Sequence, residues 1–197
     1  MNEAMRVIRD EHRSLSAVLS ALKELTRLAQ DPNVKPEFAA FRAMIYYIDA
    51  FPERMHHPKE DSHLFARLLQ RAPEARALIE ELQAEHLAGG HMIRELERAL
   101  LEFEETWPRG AATFAAAVDE FLDFQWQHME KEEKRVLPLA ERVLTAEDWA
   151  AIAAAFKGHD DPIADLREKD FRALYQRIVA LAPEPVGVGA PWKHVGA

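Results

Sequence analysis

Apolar residues recur at intervals of three and four along most of the chain. In the first segment they are Ile8, Leu15, Val18, Leu19, Leu22, Leu25 and Leu28, and in the second Phe38, Phe41, Ile45, Ile48 and Phe51. This spacing follows the 3.6-residue turn of an α-helix and places the positions on one buried stripe. No stretch shows the alternation of a half-buried strand, so the pattern predicts an all-α protein. Breaks fall at Asp31-Pro32-Asn33, Ala72-Pro73, Trp107-Pro108-Arg109-Gly110, Thr145-Ala146 and Gly158-His159-Asp160-Asp161-Pro162, each a proline, glycine or cap signal. They predict helices over 3–30, 36–71, 74–107 and 111–144, then shorter ones over 146–157 and 162–182. Asp161-Pro162 reads as an N-cap with proline at the first helical position. Pro52 and Pro58 lie inside the second helix and are expected to bend it beside His56. The architecture expected is an up-down-up-down four-helix bundle over residues 1–145. A C-terminal helical extension and Pro/Gly-rich tail over 146–197 is expected to pack on it. Residues 183–189 are expected to be extended, with Trp192 pinning the tail to the bundle.

At 197 residues the chain can enclose one well-cored domain. Its net charge of -9, with no Lys/Arg block to offset it, works against nucleic acid and anionic membrane surfaces as partners. The absence of cysteine excludes disulfides, thiolate zinc sites, iron–sulfur ligation and thiol catalysis. Any metal must therefore be held by nitrogen and oxygen. Met1–Met5 lacks a basic leader followed by an apolar run. The longest apolar stretch, Trp149–Phe156, is far short of the ~20 residues a bilayer requires. The expected location is cytoplasmic.

Chemistry concentrates in two copies of one pattern, His56-x-x-x-Glu60 and His128-x-x-x-Glu132. Residues i and i+4 of a helix lie one turn apart on the same face, so each pair can aim an imidazole and a carboxylate at one point. His12 and His86 complete a series spaced at 44, 30 and 42 residues. At 1.5 Å per residue, the chain from His12 to Gln30 and back from Pro36 to His56 covers roughly 27 Å and then roughly 30 Å. The two later legs balance similarly. All four histidines can thus share one layer of an antiparallel bundle. Leu64, Val136 and Ile79, one or two turns away, are apolar, although Asp49 is not. Carboxylates in such a pocket would be costly without a cation. Four imidazoles and two carboxylates suit iron or manganese better than calcium or magnesium. Six donors exceed what one zinc usually takes, so the count favours two ions bridged by both carboxylates.

Other readings compete. A ferritin-like di-iron oxidase needs ExxH on two helices. Glu53-x-x-His56 and Glu60-x-x-His63 match by letter, but the fourth helix offers only Gln125-x-x-His128. His63, His159 and His194 read as surface or satisfied core residues, and His57 as pointing outward. The run Glu130–Arg135 reads as mainly a solvated helix face. Tyr46, Tyr47 and Trp126 are either redox-active neighbours or core packing.

With those residues in place, the chain resembles the hemerythrin-like HHE cation-binding family over about residues 5 to 145. That pattern is a lone His, then HxxxE, then a third-helix His, then HxxxE or HxxxxD, here His12, His56 with Glu60, His86, and His128 with Glu132. The resemblance implies a hemerythrin-like bundle and a pair of non-haem iron ions, carboxylate- and oxo-bridged, with manganese or zinc as substitutes. His12, His56, His86 and His128 would be terminal ligands and Glu60 and Glu132 bridging ones. Oxygen-carrying members have a second third-helix histidine four residues after the first, where this chain has Gly90. The glycine removes a ligand and could leave a position open. His91 lies about 140° from His86 on a regular helix, so only a π-bulge at Gly89-Gly90 would return it to the site. The ligand set is closer to the iron-centre repair and iron-sensing members, and the repair proteins' cysteine-bearing domain is not found here.

The resemblance implies binding of a small oxidant (dioxygen, peroxide or nitric oxide) for sensing, scavenging or storage. The alternatives are a di-iron enzyme, peroxidase-like or nitric oxide-reducing, and an iron-responsive interaction or iron-centre repair module. The expected partner is the diatomic or peroxide ligand, with no nucleic acid and no membrane, and a homodimer left open.

Overall fold

The computed structural model describes residues 2–157 and 168–195. Four long helices make the bundle. Helix α1 is Glu3–Leu28, opened by Asn2, whose side chain accepts the Met5 N–H at 2.8 Å. Helix α2 covers residues 38–71, α3 is Arg76–Thr106 after a 3₁₀ turn at Pro73–Ala75, and α4 covers residues 111–143. Helix α1 packs on α2 and α4, and α3 packs on the same two, closing a ring of four. Ala146–Lys157 forms α5 against α1, and Glu168–Leu181 forms α6 against the start of α2. The expected N-cap at Asp161-Pro162, and His159, lie outside the described residues. Among the described residues no helix is long and apolar enough to cross a membrane.

The prolines of α2 change its winding. Asp49–His56, which contains Pro52, is π-helical, a regular turn His57–Lys59 follows, and Glu60–Phe65 is π-helical again. Proline offers no N–H and crowds the carbonyl four residues back, and the wider i→i+5 winding accommodates this without ending the helix. A third π stretch, Glu132–Val136, lies in α4. The second and third therefore start at the glutamates of the two HxxxE patterns.

Two separate apolar cores fill the bundle, one on each side of a polar layer. The first gathers Leu15, Leu19, Leu22, Phe41, Phe103 and Phe114, with rings in edge-on contact at Phe41–Phe114, 5.3 Å between centroids. The second gathers Met5, Ile8, Phe65, Leu82, Val136 and Phe156. Each such side chain, fully buried, stabilises the fold by about 1.5–3 kcal/mol. Between the cores lie the buried polar residues His12, His56, His57, Glu60, His86, Gln125, His128 and Glu132.

The C-terminal segment departs from expectation in two ways. Residues 183–189 form a compact turn instead of an extended strand, with Gly187 N–H donating to the Pro183 carbonyl and Val188 N–H to that of Val179. A Cβ at Gly187 would stand 2.2 Å from the Val179 carbonyl oxygen, so only glycine fits this approach. Lys193–His194 then pairs antiparallel with Val34–Lys35, a two-residue ladder too short to show in the hydropathy pattern. Trp192 is half-buried, its ring 6.0 Å from that of Phe41.

Candidate metal centre

The six residues singled out by spacing converge in the polar layer. The Nε2 atoms of His12 and His56 are 3.2 Å apart, and those of His86 and His128 are also 3.2 Å apart. Two imidazoles bound at ~2.1 Å on adjacent positions of one ion would hold their nitrogens ~3 Å apart, so each pair has the separation of a shared cation. The glutamates lie between the pairs. Glu60 Oε2 is 3.3 Å from His56 Nε2 and 3.8 Å from His86 Nε2. Glu132 Oε2 is 3.4 Å from His12 Nε2, and its Oε1 is 3.3 Å from His128 Nε2. Each carboxylate therefore reaches both halves of the layer, the arrangement expected of a bridge.

The outer nitrogens are as ordered as the inner ones. His12 Nδ1 faces Glu133 at 3.0 Å, His56 Nδ1 faces Glu11 at 2.7 Å, His86 Nδ1 faces Asp61 at 3.1 Å and His128 Nδ1 faces Glu85 at 3.0 Å. In each case the acid comes from the preceding helix of the ring, with α4 serving α1. A carboxylate on Nδ1–H fixes the tautomer in which Nε2 carries the lone pair, and it raises the basicity of that nitrogen. Arg9 holds Glu133 at 3.1 Å, and Lys131 pairs with both Glu81 and Glu85.

Charge in the layer is balanced by protons when no cation is present. Burial opposes the charge on His86, but the neighbouring carboxylates of Asp61 and Glu132 outweigh it and raise the imidazole to about 9. Burial likewise opposes the charge on His128, and Glu132 and Glu85 raise it to about 10. His56 is held well above its ordinary range despite burial, by Glu60 and Glu11. Burial works to raise Glu132, but His128 and its neighbours hold it well below the usual carboxylate range.

The donors fit a metal. Glu60 and Glu132 are 0% and 1% exposed, and none of their four carboxylate oxygens has a hydrogen-bond partner. Buried anions lacking donors are strongly disfavoured, and cations placed between the histidine pairs would supply what these oxygens lack. The nitrogen/oxygen donor set, without sulfur, suits iron, manganese or zinc.

One expectation is overturned. His57 does not point outward: it is 5% exposed and stacks on His86 at 4.1 Å between ring centroids, 6° from parallel. One ligand atom each from His57, His86 and His128 lie within 4.8 Å of one another. Adjacent helix positions are about 100° apart, and a helix inside a bundle buries a face at least that wide. His56 can thus face α1 while His57 faces α3 and α4. The His-His doublet was the available signal.

The carboxylate ring was also missed, although Glu11, Asp61, Glu85 and Glu133 each adjoin a candidate ligand in sequence. Glu133 accordingly has a partner inside the run expected to be a solvated face. Helix α3 passes through Gly89-Gly90 as regular α-helix, and His91 is exposed beside Arg94, so no π-bulge returns it to the layer. Tyr47 is buried, whereas Tyr46 and Trp126 are 47% and 38% exposed. The paired ExxH reading also loses its second carboxylate in space, because Gln125 Nε2 donates to Glu53 at 3.2 Å.

A ring of four helices around a buried His/Glu layer defines a cation-holding bundle. The model of the hemerythrin HHE cation-binding domain matches residues 3–140, and the chain belongs to that family. Comparison with curated proteins gave no match.

Proposed function

We propose that the chain is a non-haem di-iron protein that binds a small oxidant (dioxygen, peroxide or nitric oxide) as sensor, scavenger or store. One ion would lie between His12 and His56 and the other between His86 and His128, with Glu60 and Glu132 shared. The observation that carries this reading is the set of four unpartnered carboxylate oxygens enclosed by inward-facing imidazole nitrogens. Iron bound there would supply open coordination positions and, with one electron available from each ion, the redox chemistry for dioxygen or peroxide. The protein's part is to hold the donors, keep each Nδ1–H donating to its outer carboxylate and exclude bulk water with the two apolar cores.

Entry for a small molecule is at hand. An open groove of about 480 Å³ between α1 and α4 is walled by His12, Ser16, Trp126, Met129 and Glu133. It brings solvent to the His12 edge of the layer.

The test is anaerobic reconstitution with ferrous iron followed by admission of air, peroxide or nitric oxide, monitored by visible absorption. New ligand-to-iron bands that depend on Glu60 and Glu132 are expected. Protein that takes up iron but shows no spectral response to any of the three would overturn oxidant binding.

A further inference from the structure

We infer that His57 is a fifth imidazole of the metal layer, supplied to the His86/His128 half from α2 and positioned there by Glu53 through the space left at Gly89. The inference rests on the reading of the layer as a metal site and adds a residue to it.

Three observations combine. First, His57 lies almost parallel to His86 at 4.1 Å and edge-on to His128 at 5.3 Å, so its ring belongs to that half of the layer. Second, His57 Nδ1 is buried and without a hydrogen-bond partner, and its nearest acidic neighbour is Glu53 Oε2 at 3.5 Å. This buried carboxylate, one turn back on the same helix, stands on the Nδ1 side of His57 as an acid does at each of the other four histidines, at a longer distance, and an ion would then be met through Nε2. Third, Glu53 lies against α3 where the helix has no side chain. A Cβ at Gly89 would stand 2.9 Å from Glu53 Oε1 and 3.1 Å from Oε2. Gln125 holds the same carboxylate from α4.

Gly90 marks the other half of the exchange. A Cβ there would meet nothing nearer than 3.9 Å, so the third helix places no donor at that turn. In this chain α2 provides the ring and α3 provides the room. The two halves then differ by one imidazole, and Glu53 acts on the ion only through His57, as a positioning residue.

The experiment uses the full chain loaded with cobalt(II), whose paramagnetism shifts the N–H proton of each bound imidazole out of the crowded NMR spectrum. Wild type is expected to show five such exchangeable resonances and His57→Ala four, with the fifth restored by added imidazole. Gly89→Ala and Glu53→Gln are expected to weaken one of the two bound ions by roughly 10–100-fold. Gly89→Ala should fold well, because alanine is the better helix former and the crowded atoms are the free end of a flexible side chain.

Five shifted resonances in folded His57→Ala, or wild-type affinity for both ions in Gly89→Ala and Glu53→Gln, would overturn the inference while leaving the metal site intact. Wild-type protein that binds no cobalt would overturn the site and this inference together.

Discussion

Glu11, Asp61, Glu85 and Glu133 stand next in sequence to candidate ligands yet serve the histidine of the neighbouring helix. A histidine donor is only as well placed as the group on its other nitrogen. Glu11→Gln replaces a charged acceptor on His56 with a neutral one and should lower metal affinity by roughly 10–100-fold, read by competition with a chelator. Unchanged affinity would remove the outer ring from the design. Protons provide a second test, since His86 and His128 keep theirs to about 9 and about 10 in the metal-free layer. An ion must displace them, so binding at pH 7 should release protons, and affinity should climb with pH toward that range. Calorimetry in buffers of different ionisation enthalpy measures the release, and its absence would contradict the assignment. The same shifts govern the metal-free fold. Both values lie above the ordinary 6.5, so their stabilising contribution is complete below about 6.5 and is lost as pH rises toward 9 and 10. Melting of the metal-free protein should therefore fall across that window. That six candidate residues meet in one layer was legible in the sequence, four from the helical period of the two HxxxE pairs and His12 and His86 from the matched lengths of the helical legs. His57 was not, because a search along one i/i+4 line ignores the second edge of a wide buried face.

Helix ends follow local chemistry, and most were legible for that reason. Pro73, Pro108 and Gly110 punctuate the bundle where the pattern placed the breaks. Helix α5 begins with a reciprocal cap: Thr145 Oγ1 accepts the Asp148 N–H at 3.2 Å, and Asp148 accepts the Thr145 N–H at 3.0 Å. Asp148 also binds Arg71 at 2.8 Å, tying α5 to the end of α2. Thr145→Ala should cost about 1 kcal/mol in denaturant unfolding while metal binding stays as in wild type. A loss of metal with that substitution would mean that α5 supports the layer directly, through Phe156, whose ring lies 6.0 Å from that of His56. The π-helical stretches left little trace in sequence. Pro52 signals the first, but Glu60–Phe65 and Glu132–Val136 contain no proline, and a shift of hydrogen bonds from i→i+4 to i→i+5 has no residue signature of its own. The two-residue ladder of Val34–Lys35 with Lys193–His194 is similarly too short for any periodicity.

Across the whole molecule, one polar layer divides what would otherwise be a continuous apolar interior. That layer is a liability without its ions, because two fully buried carboxylates are left facing imidazoles alone. Ion binding should therefore tighten the entire bundle. At one hundred times the dissociation constant the gain is about 2.7 kcal/mol, and for a chain of this size each kcal/mol raises the melting temperature by about 2–4 °C. Glu60→Gln should abolish most of that rise, and a rise equal to wild type would place the stabilising ion elsewhere. The most direct test of the central claim is the iron content of the full chain after anaerobic ferrous reconstitution and removal of loosely held metal. Two irons per chain are predicted, one for each histidine pair with both glutamates shared. No retained iron, or a single iron that survives loss of either histidine pair, would contradict it.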